Sequence, residues 1–147
     1  MANVRDLLRM KGDQVWSVKP DATVLEALKL MAEKEVGALL VIDEGGIAGI
    51  ISERDFARSI ADMEECLIYS MVQDYMTTEI YAVGPDHNME ECMQLMTQKH
   101  IRHLPVLEKN RLVGLISIGD VVKEVISGKE STINILESYI EGRGYNQ

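Results

Sequence analysis

The sequence predicts an α+β protein built from two copies of one β-α-β-β-α unit, packed with pseudo-twofold symmetry. Three observations lead there. Apolar spacing alternates between helix periods and short continuous runs bounded by turn residues. The chain matches itself without a gap when shifted by 65 residues. In both copies an apolar run ends on the same short motif, Gly49-Ile50-Ile51-Ser52-Glu53-Arg54-Asp55 and Gly114-Leu115-Ile116-Ser117-Ile118-Gly119-Asp120. At 147 residues the chain suffices for one ordinary domain or two very small ones sharing a core.

Taken in order, residues 3–12 read as a short amphipathic helix with Val4, Leu7 and Leu8 on one face and Gly12 as its stop. Val15–Val18 reads as a short strand, and Pro20–Thr23 turns the chain. Thr23 and Glu26 form an S/T-x-x-E capping box. The helix behind it runs to about Glu35, with Val24, Ala27, Leu28, Met31 and Ala32 on its apolar face. Ala38–Ile42 is a strand with little exposure, Glu44–Gly46 a hairpin turn, and Ile47–Ile51 the return strand. A helix carrying Phe56, Ala57 and Ile60 on one side follows. After a connector near 62–73 the pattern returns. Pro20 falls on Pro85, Glu26 on Glu91, Leu39 on Leu104 and Val41 on Val106. Asn88 takes the place of Thr23 as the cap, with Glu91 completing the box. Such a match means two copies of one supersecondary unit, each too small to bury its own sheet. The expected layout is repeat 1 over 5–65, repeat 2 over 72–128, and a C-terminal helix and tail over 129–147, with Ile133, Leu136 and Ile140 on one helical face.

Composition narrows the function. Hydrophobic residues make up 46% and charged residues 27%, as in a folded soluble protein. One Trp and one Phe leave an aliphatic core, with nine Met as adaptable filler. A net charge of −9 disfavours nonspecific nucleic-acid binding but permits an anionic small ligand at a locally basic site. Cys66 and Cys92 are too few for a disulfide scaffold and point to free thiols. No apolar run approaches the ~20 residues that span a bilayer, and the N-terminus lacks a signal core. A cytoplasmic protein without membrane partners is expected.

Ser52, Arg54 and Asp55 stand where a strand's carboxyl end meets a helix's amino end. The first helical N–H groups lack intrahelical partners and the helix dipole favours negative charge. A hydroxyl, a guanidinium and a carboxylate there suit a phosphate and a ribose. Read alone, Ser52 with Asp55 and Ser117 with Asp120 also read as simple helix caps. Arg54 also reads as a solvated surface charge, Arg102 and His103 as partners of surface acids, and His103 as a structural hydrogen-bonding group. His87, His100, His103 and Cys92 match no metal signature, and no nucleophile–base pair is visible. Met31, Met71, Met76, Met89, Met93 and Met96 fit helix-face packing.

The doubled motif resembles the cystathionine beta-synthase (CBS) domain, and Ile101-Arg102-His103-Leu104-Pro105-Val106-Leu107 is similar to that family's basic-basic-Leu-Pro-Val strand. The resemblance covers about residues 5–128. It implies a CBS pair, or Bateman module, that binds adenosine nucleotides (AMP, ADP, ATP or NAD) in two clefts drawn from both repeats. One cleft would contain His103, Ser117 and Asp120, with Lys19, Val36 and Gly37. The other would contain Ala38, Ser52, Arg54 and Asp55, with Gly84, Ile101 and Arg102. The motif Asp would hold the ribose hydroxyls, and the Ser would support ribose or phosphate. The copies differ. Arg54 stands where the second motif has Gly119, and Ala38 where the second has His103, so the first motif is expected to be the better site.

The expected function is that of a stand-alone regulatory module, not an enzyme, that needs no cofactor, forms a homodimer, and acts on an unidentified protein in another chain. The alternative is a structural dimerisation or scaffold unit whose clefts stay empty.

Overall fold

The computed structural model describes residues 2–63 and 68–128. The chain forms two compact units. Of the described residues, one unit is Val15–Tyr81, and the other joins those up to Gln14 with those from Ala82 onward. Each unit therefore takes its sheet from one repeat and a short leading segment from the other.

In the Val15–Tyr81 unit, β1 (Ser17–Val18) lies parallel to β2 (Ala38–Asp43), and β2 pairs antiparallel with β3 (Gly46–Ser52). Helix α2 (Val24–Lys34) begins on the expected box. Thr23 Oγ1 accepts from Glu26 N at 3.1 Å, and Glu26 Oε2 accepts from Thr23 N at 3.1 Å. It ends where Glu35 takes the left-handed conformation at φ 55°. Helix α3 (Glu53–Met63) follows β3 directly. The core gathers Val24, Ala27, Met31, Leu39, Val41, Ile51, Phe56 and Val72. Val72 opens a single 3-10 turn, Val72–Asp74, and the stretch before it satisfies the head of α2: Val24 N donates to Ser70 O and Leu25 N to Ile68 O, both at 2.8 Å.

The other unit repeats the scheme with α4 (Met89–Lys99), the hairpin β4 (His103–Glu108) and β5 (Arg111–Ser117), and a helix, α5, over 118–128. His100 ends α4 at φ 56°, as Glu35 ends α2. Both hairpins slip register at equivalent places, between Val41 and Ile42 and between Val106 and Leu107. The first strand of this repeat shrinks to one parallel bridge, Val83 with Val106. Its leading segment is α1 (Val4–Lys11), capped by Asn3 and ended at Gly12. The head of α1 is satisfied as that of α2 is: Val4 N donates to His87 O and Arg5 N to Pro85 O, both at 2.8 Å.

Three expectations need correction. Asn88 caps α4 through Glu91 N at 2.8 Å, but no reciprocal bond from Asn88 N forms; the Glu91 carboxylate lies 3.8 Å from His87 Nε2 instead. Among the residues of α3 whose burial is described only Phe56 is buried, while Ala57 and Ile60 face solvent. Met31, Met89 and Met96 are core residues, whereas Met71 and Met93 are exposed. The proposed helix over Thr132–Glu141, and Cys66, lie outside the described residues. Among the described residues no helix is long and apolar enough to cross a membrane.

Candidate functional site

The motif serines end β3 and β5, opposite Ala38 and His103 on the partner strands. In each copy the strand passes straight into a helix, so Ser is the N-cap and Asp the third helical residue. Ser52 N and Ser52 Oγ both donate to Asp55 Oδ2 at 3.0 Å, and Asp55 N donates to Ser52 Oγ at 3.2 Å. The second corner repeats this: Ser117 N donates to Asp120 Oδ2 at 2.8 Å, and Asp120 N to Ser117 Oγ at 3.1 Å. The motif is thus a capping box with Asp in the Glu position.

The first helical amides are also used. Glu53 N donates to Gly37 O at 3.0 Å, and Ile118 N donates to Arg102 O at 2.8 Å. Just upstream, Val36 N and Ile101 N close the preceding helices by donating to Met31 O and Met96 O, both at 3.0 Å. Gly37 and Arg102 are therefore held by their carbonyls. The expectation of unpartnered helix amides at the corner is corrected: the first and third N–H groups of α3 and α5 are satisfied within the chain.

Ser52, Arg54 and Asp55 are partly buried, Ala38 is buried, Val36 is partly buried, and Lys19 and Gly37 are exposed; all seven belong to the Val15–Tyr81 unit. Ser117, Asp120, His103 and Ile101 are partly buried and Arg102 is exposed, all in the other unit. The candidate residues thus fall into two groups, one in the unit of each Ser–Asp corner, called half-sites below.

The half-sites differ in a residue the sequence reading passed over. Lys11, the last residue of α1, donates from Nζ to Asp120 Oδ2 at 2.7 Å and to Leu115 O at 2.8 Å. Burial alone would push the Asp120 carboxyl up. The Lys11 hydrogen bond, the Ser117 backbone N–H, the Lys11 charge and the Ser117 side chain together hold it below the usual carboxylate range. Among the described residues no cation pairs with Asp55. A signal for Lys11 was present: it follows Leu7 by four residues and Leu8 by three, so it continues the buried stripe of α1.

The motif glycines have a similar explanation. A Cβ on Gly49 would meet Met76 Sδ at 2.7 Å and Thr77 O at 2.8 Å; one on Gly114 would meet Leu8 Cδ2 at 2.6 Å. Each glycine admits the leading segment of the other repeat.

This architecture is that of a tandem repeat module, and the comparisons identify the family. The CBS domain model matches twice, over residues 4–62 and 72–127, and the chain belongs to that family. A mitochondrial CBS domain-containing protein of Arabidopsis thaliana, CBSX3, is 37% identical over 97% of this chain and 73% of its own length. A CBS-domain protein of Burkholderia ambifaria superposes with a TM-score of 0.82 at 45% identity, over 86% of this chain and 95% of that one. CBSX2, solved in complex with AMP, superposes with a TM-score of 0.69 at 29% identity, over 88% of this chain and 99% of that one.

Proposed function

We propose that this chain is a regulatory module that binds an adenosine nucleotide, AMP, ADP, ATP or NAD, and modulates a protein in another chain. The observation that carries this reading is the recurrence of one corner: a strand-end Ser bonded to an Asp three residues on, in both repeats. The AMP complex of the relative CBSX2 supports the ligand class. A carboxylate can accept two hydrogen bonds from a vicinal diol, which deoxyribose cannot offer. In the first half-site Asp55 takes the ribose, Ser52 supports it, and Arg54 takes phosphate with a forked donor set. The repeats, 5–65 and 72–128, act as a pair and complete each other's clefts. Arg102, Ile101 and Gly84 join the first corner, and Lys19, Val36 and Gly37 join His103, Ser117 and Asp120. The module works as a homodimer, and ligand shifts the relative angle of its repeats. By linkage, a partner that reads that angle changes nucleotide affinity by the same factor.

Thermal melting with each nucleotide tests the reading. Binding raises stability as RT ln(1 + [L]/Kd), about 2.7 kcal/mol at a hundred times Kd. Flat melting curves with all four ligands at millimolar concentration would sink it and leave the scaffold role, with empty clefts, in its place.

A further inference from the structure

We infer that Lys11 is a specificity residue that gates the second half-site: its ammonium occupies the Asp120 carboxylate, and a ribose diol must displace it to bind there. The inference rests on the nucleotide reading above and adds an order of filling to it. Four observations carry it.

Lys11 commits two of its three ammonium protons, one to Asp120 Oδ2 and one to Leu115 O. Asp120 Oδ2 already accepts from Ser117 N, so that oxygen holds two donors. Asp55 Oδ2 likewise holds two donors, both from Ser52, so what sets Asp120 apart is that one of its two donors is a cation, and a diol reaching that carboxylate finds its charge countered. The side chains of Lys11 and Asp120 are only 32% and 25% exposed, so the pair is partly screened from the water that weakens surface ion pairs.

Lys11 is also placed firmly. Helix α1 is fixed at its head by Val4 and Arg5 amides, along its length by Leu8 against Gly114, and by Arg5 to Glu108 at 2.9 Å. The ammonium is delivered by a seated helix rather than by a loose arm.

The repeat supplies the control. The residue 65 positions beyond Lys11 is Met76, the matching position of the other leading segment. Met76 lies against Gly49 and carries no charge, and no cation among the described residues pairs with Asp55. Among the described residues the fold thus holds one motif carboxylate paired with a cation and one that is not. A neutral diol ligand fills the Asp55 half-site first.

Calorimetry with adenosine, which has the diol but no phosphate, isolates the effect. Asp55→Asn silences the first half-site, and Lys11 is then changed to Gln or to Arg in that background. Melting curves establish that each variant folds; Asp55→Ala replaces Asp55→Asn if the latter does not. Lys11→Gln is expected to tighten adenosine binding roughly two- to fivefold, the scale of releasing one partly exposed ion pair. Lys11→Arg keeps the charge and leaves affinity within about twofold. An unchanged affinity in Lys11→Gln overturns the gate. AMP binding that weakens in Lys11→Gln also overturns it, because Lys11 would then be a phosphate anchor.

Carboxyl-carbon NMR supplies a ligand-free readout. Asp120 is expected to titrate at higher pH in Lys11→Gln than in the parent; no shift means that no ion pair forms, and the gate fails. Binding of adenosine to the parent chain separates the two claims. If the parent binds and Lys11→Gln changes nothing, only the gate falls. If no variant binds adenosine or any of the four nucleotides while the Asp120 shift is seen, the nucleotide reading falls and takes the gating role with it.

Discussion

Leu8 of α1 fills the space that a side chain on Gly114 would need: a Cβ there would lie 2.6 Å from Leu8 Cδ2 and 2.8 Å from Leu8 Cδ1. The glycine of the second motif is thus a seat for the leading helix. Gly114→Ala forces the leucine to turn or α1 to lift, at about 1 kcal/mol, the low end for overpacking. Leu8→Ala empties the same place and costs about 2–5 kcal/mol. Because the two share one space, the double variant is expected to be less destabilised than the sum of the singles. Urea unfolding of the four chains measures this, and strict additivity would mean that the two residues do not touch.

The first motif obeys the same rule with a stiffer neighbour. A Cβ on Gly49 would meet Thr77 O at 2.8 Å as well as Met76 Sδ at 2.7 Å. That carbonyl accepts from Ile50 N at 3.0 Å, and Ile50 O accepts from Thr77 N at 2.9 Å. A methionine tip can move aside; a bridged backbone carbonyl cannot without breaking its bonds. Gly49→Ala is therefore expected to cost more than Gly114→Ala, about 2–3 kcal/mol. Equal urea midpoints for the two variants would contradict the distinction.

These glycines show what the sequence could and could not disclose. Helix α2 was legible to its ends because Thr23, Glu26 and the apolar positions Val24, Ala27 and Met31 are local signals of one period. The hairpins were legible because Ala38–Ile42 and Ile47–Ile51 are apolar runs flanking a glycine turn. The 65-residue shift then carried the whole plan to the second repeat. What stayed hidden was exchange. Nothing local to Val4–Lys11 says that it packs with residues beyond Ala82, and nothing in Gly114 names Leu8 as its neighbour. The Ser–Asp corners were found and capping was one reading of them, but the bonds from Glu53 N and Ile118 N were not, since Gly37 and Arg102 reach the helix heads from 16 residues away. The shrinking of one strand to the Val83 bridge was equally invisible, because Val83 matches Val18 in the shifted sequence.

Cys92 is fully buried on α4, and burial, with the nearby Glu91 charge, pushes its thiol up to about 11. The thiolate is the reactive form. Iodoacetamide at pH 8 is therefore expected to leave Cys92 unmodified in the folded chain and to label it in urea, as read by peptide mass. The sign of the linkage follows. A thiol whose value is raised by folding contributes stability below its unfolded value and loses it as pH rises through the folded one. The contribution is whole below about pH 9 and declines between about pH 9 and pH 11. Cys92→Ala should show a flatter alkaline limb than the parent, and identical limbs would refute the assignment.

The Asp120 pair governs the acid side. Its carboxyl lies below the usual range in the fold, so its contribution is present above the unfolded value, about 3.9, and is lost as pH falls through the folded value. The pair is partly exposed, so Lys11→Gln is expected to cost only about 0.5–1 kcal/mol at neutral pH. That difference should shrink in urea titrations as pH falls below the unfolded value and through the still lower folded one, where Asp120 protonates in the parent as well. A gap that persists to lower pH would show that Lys11 acts through the packing of its stem and not through its charge.

The two motif carboxylates should respond unequally to removal. Asp55 Oδ2 takes both its bonds from Ser52 and none from a cation among the described residues, whereas Asp120 Oδ2 takes one bond from Ser117 and one from the Lys11 cation. Hydrogen bonds to charged groups contribute roughly 1.5–3 kcal/mol. Asp55→Ala is therefore expected to weaken the tighter adenosine-binding event by about tenfold to a hundredfold. Asp120→Ala should change that event by less than about threefold. Since Asp55 also accepts the Ser52 N–H, Asp55→Asn is the companion variant: it retains an acceptor for the cap while removing the charge, so a loss of affinity in both variants belongs to the ligand and not to a frayed α3. Calorimetry gives the affinities and melting curves check the cap. A chain in which Asp120→Ala weakens the tighter event more than Asp55→Ala does would reverse the assignment of the two half-sites.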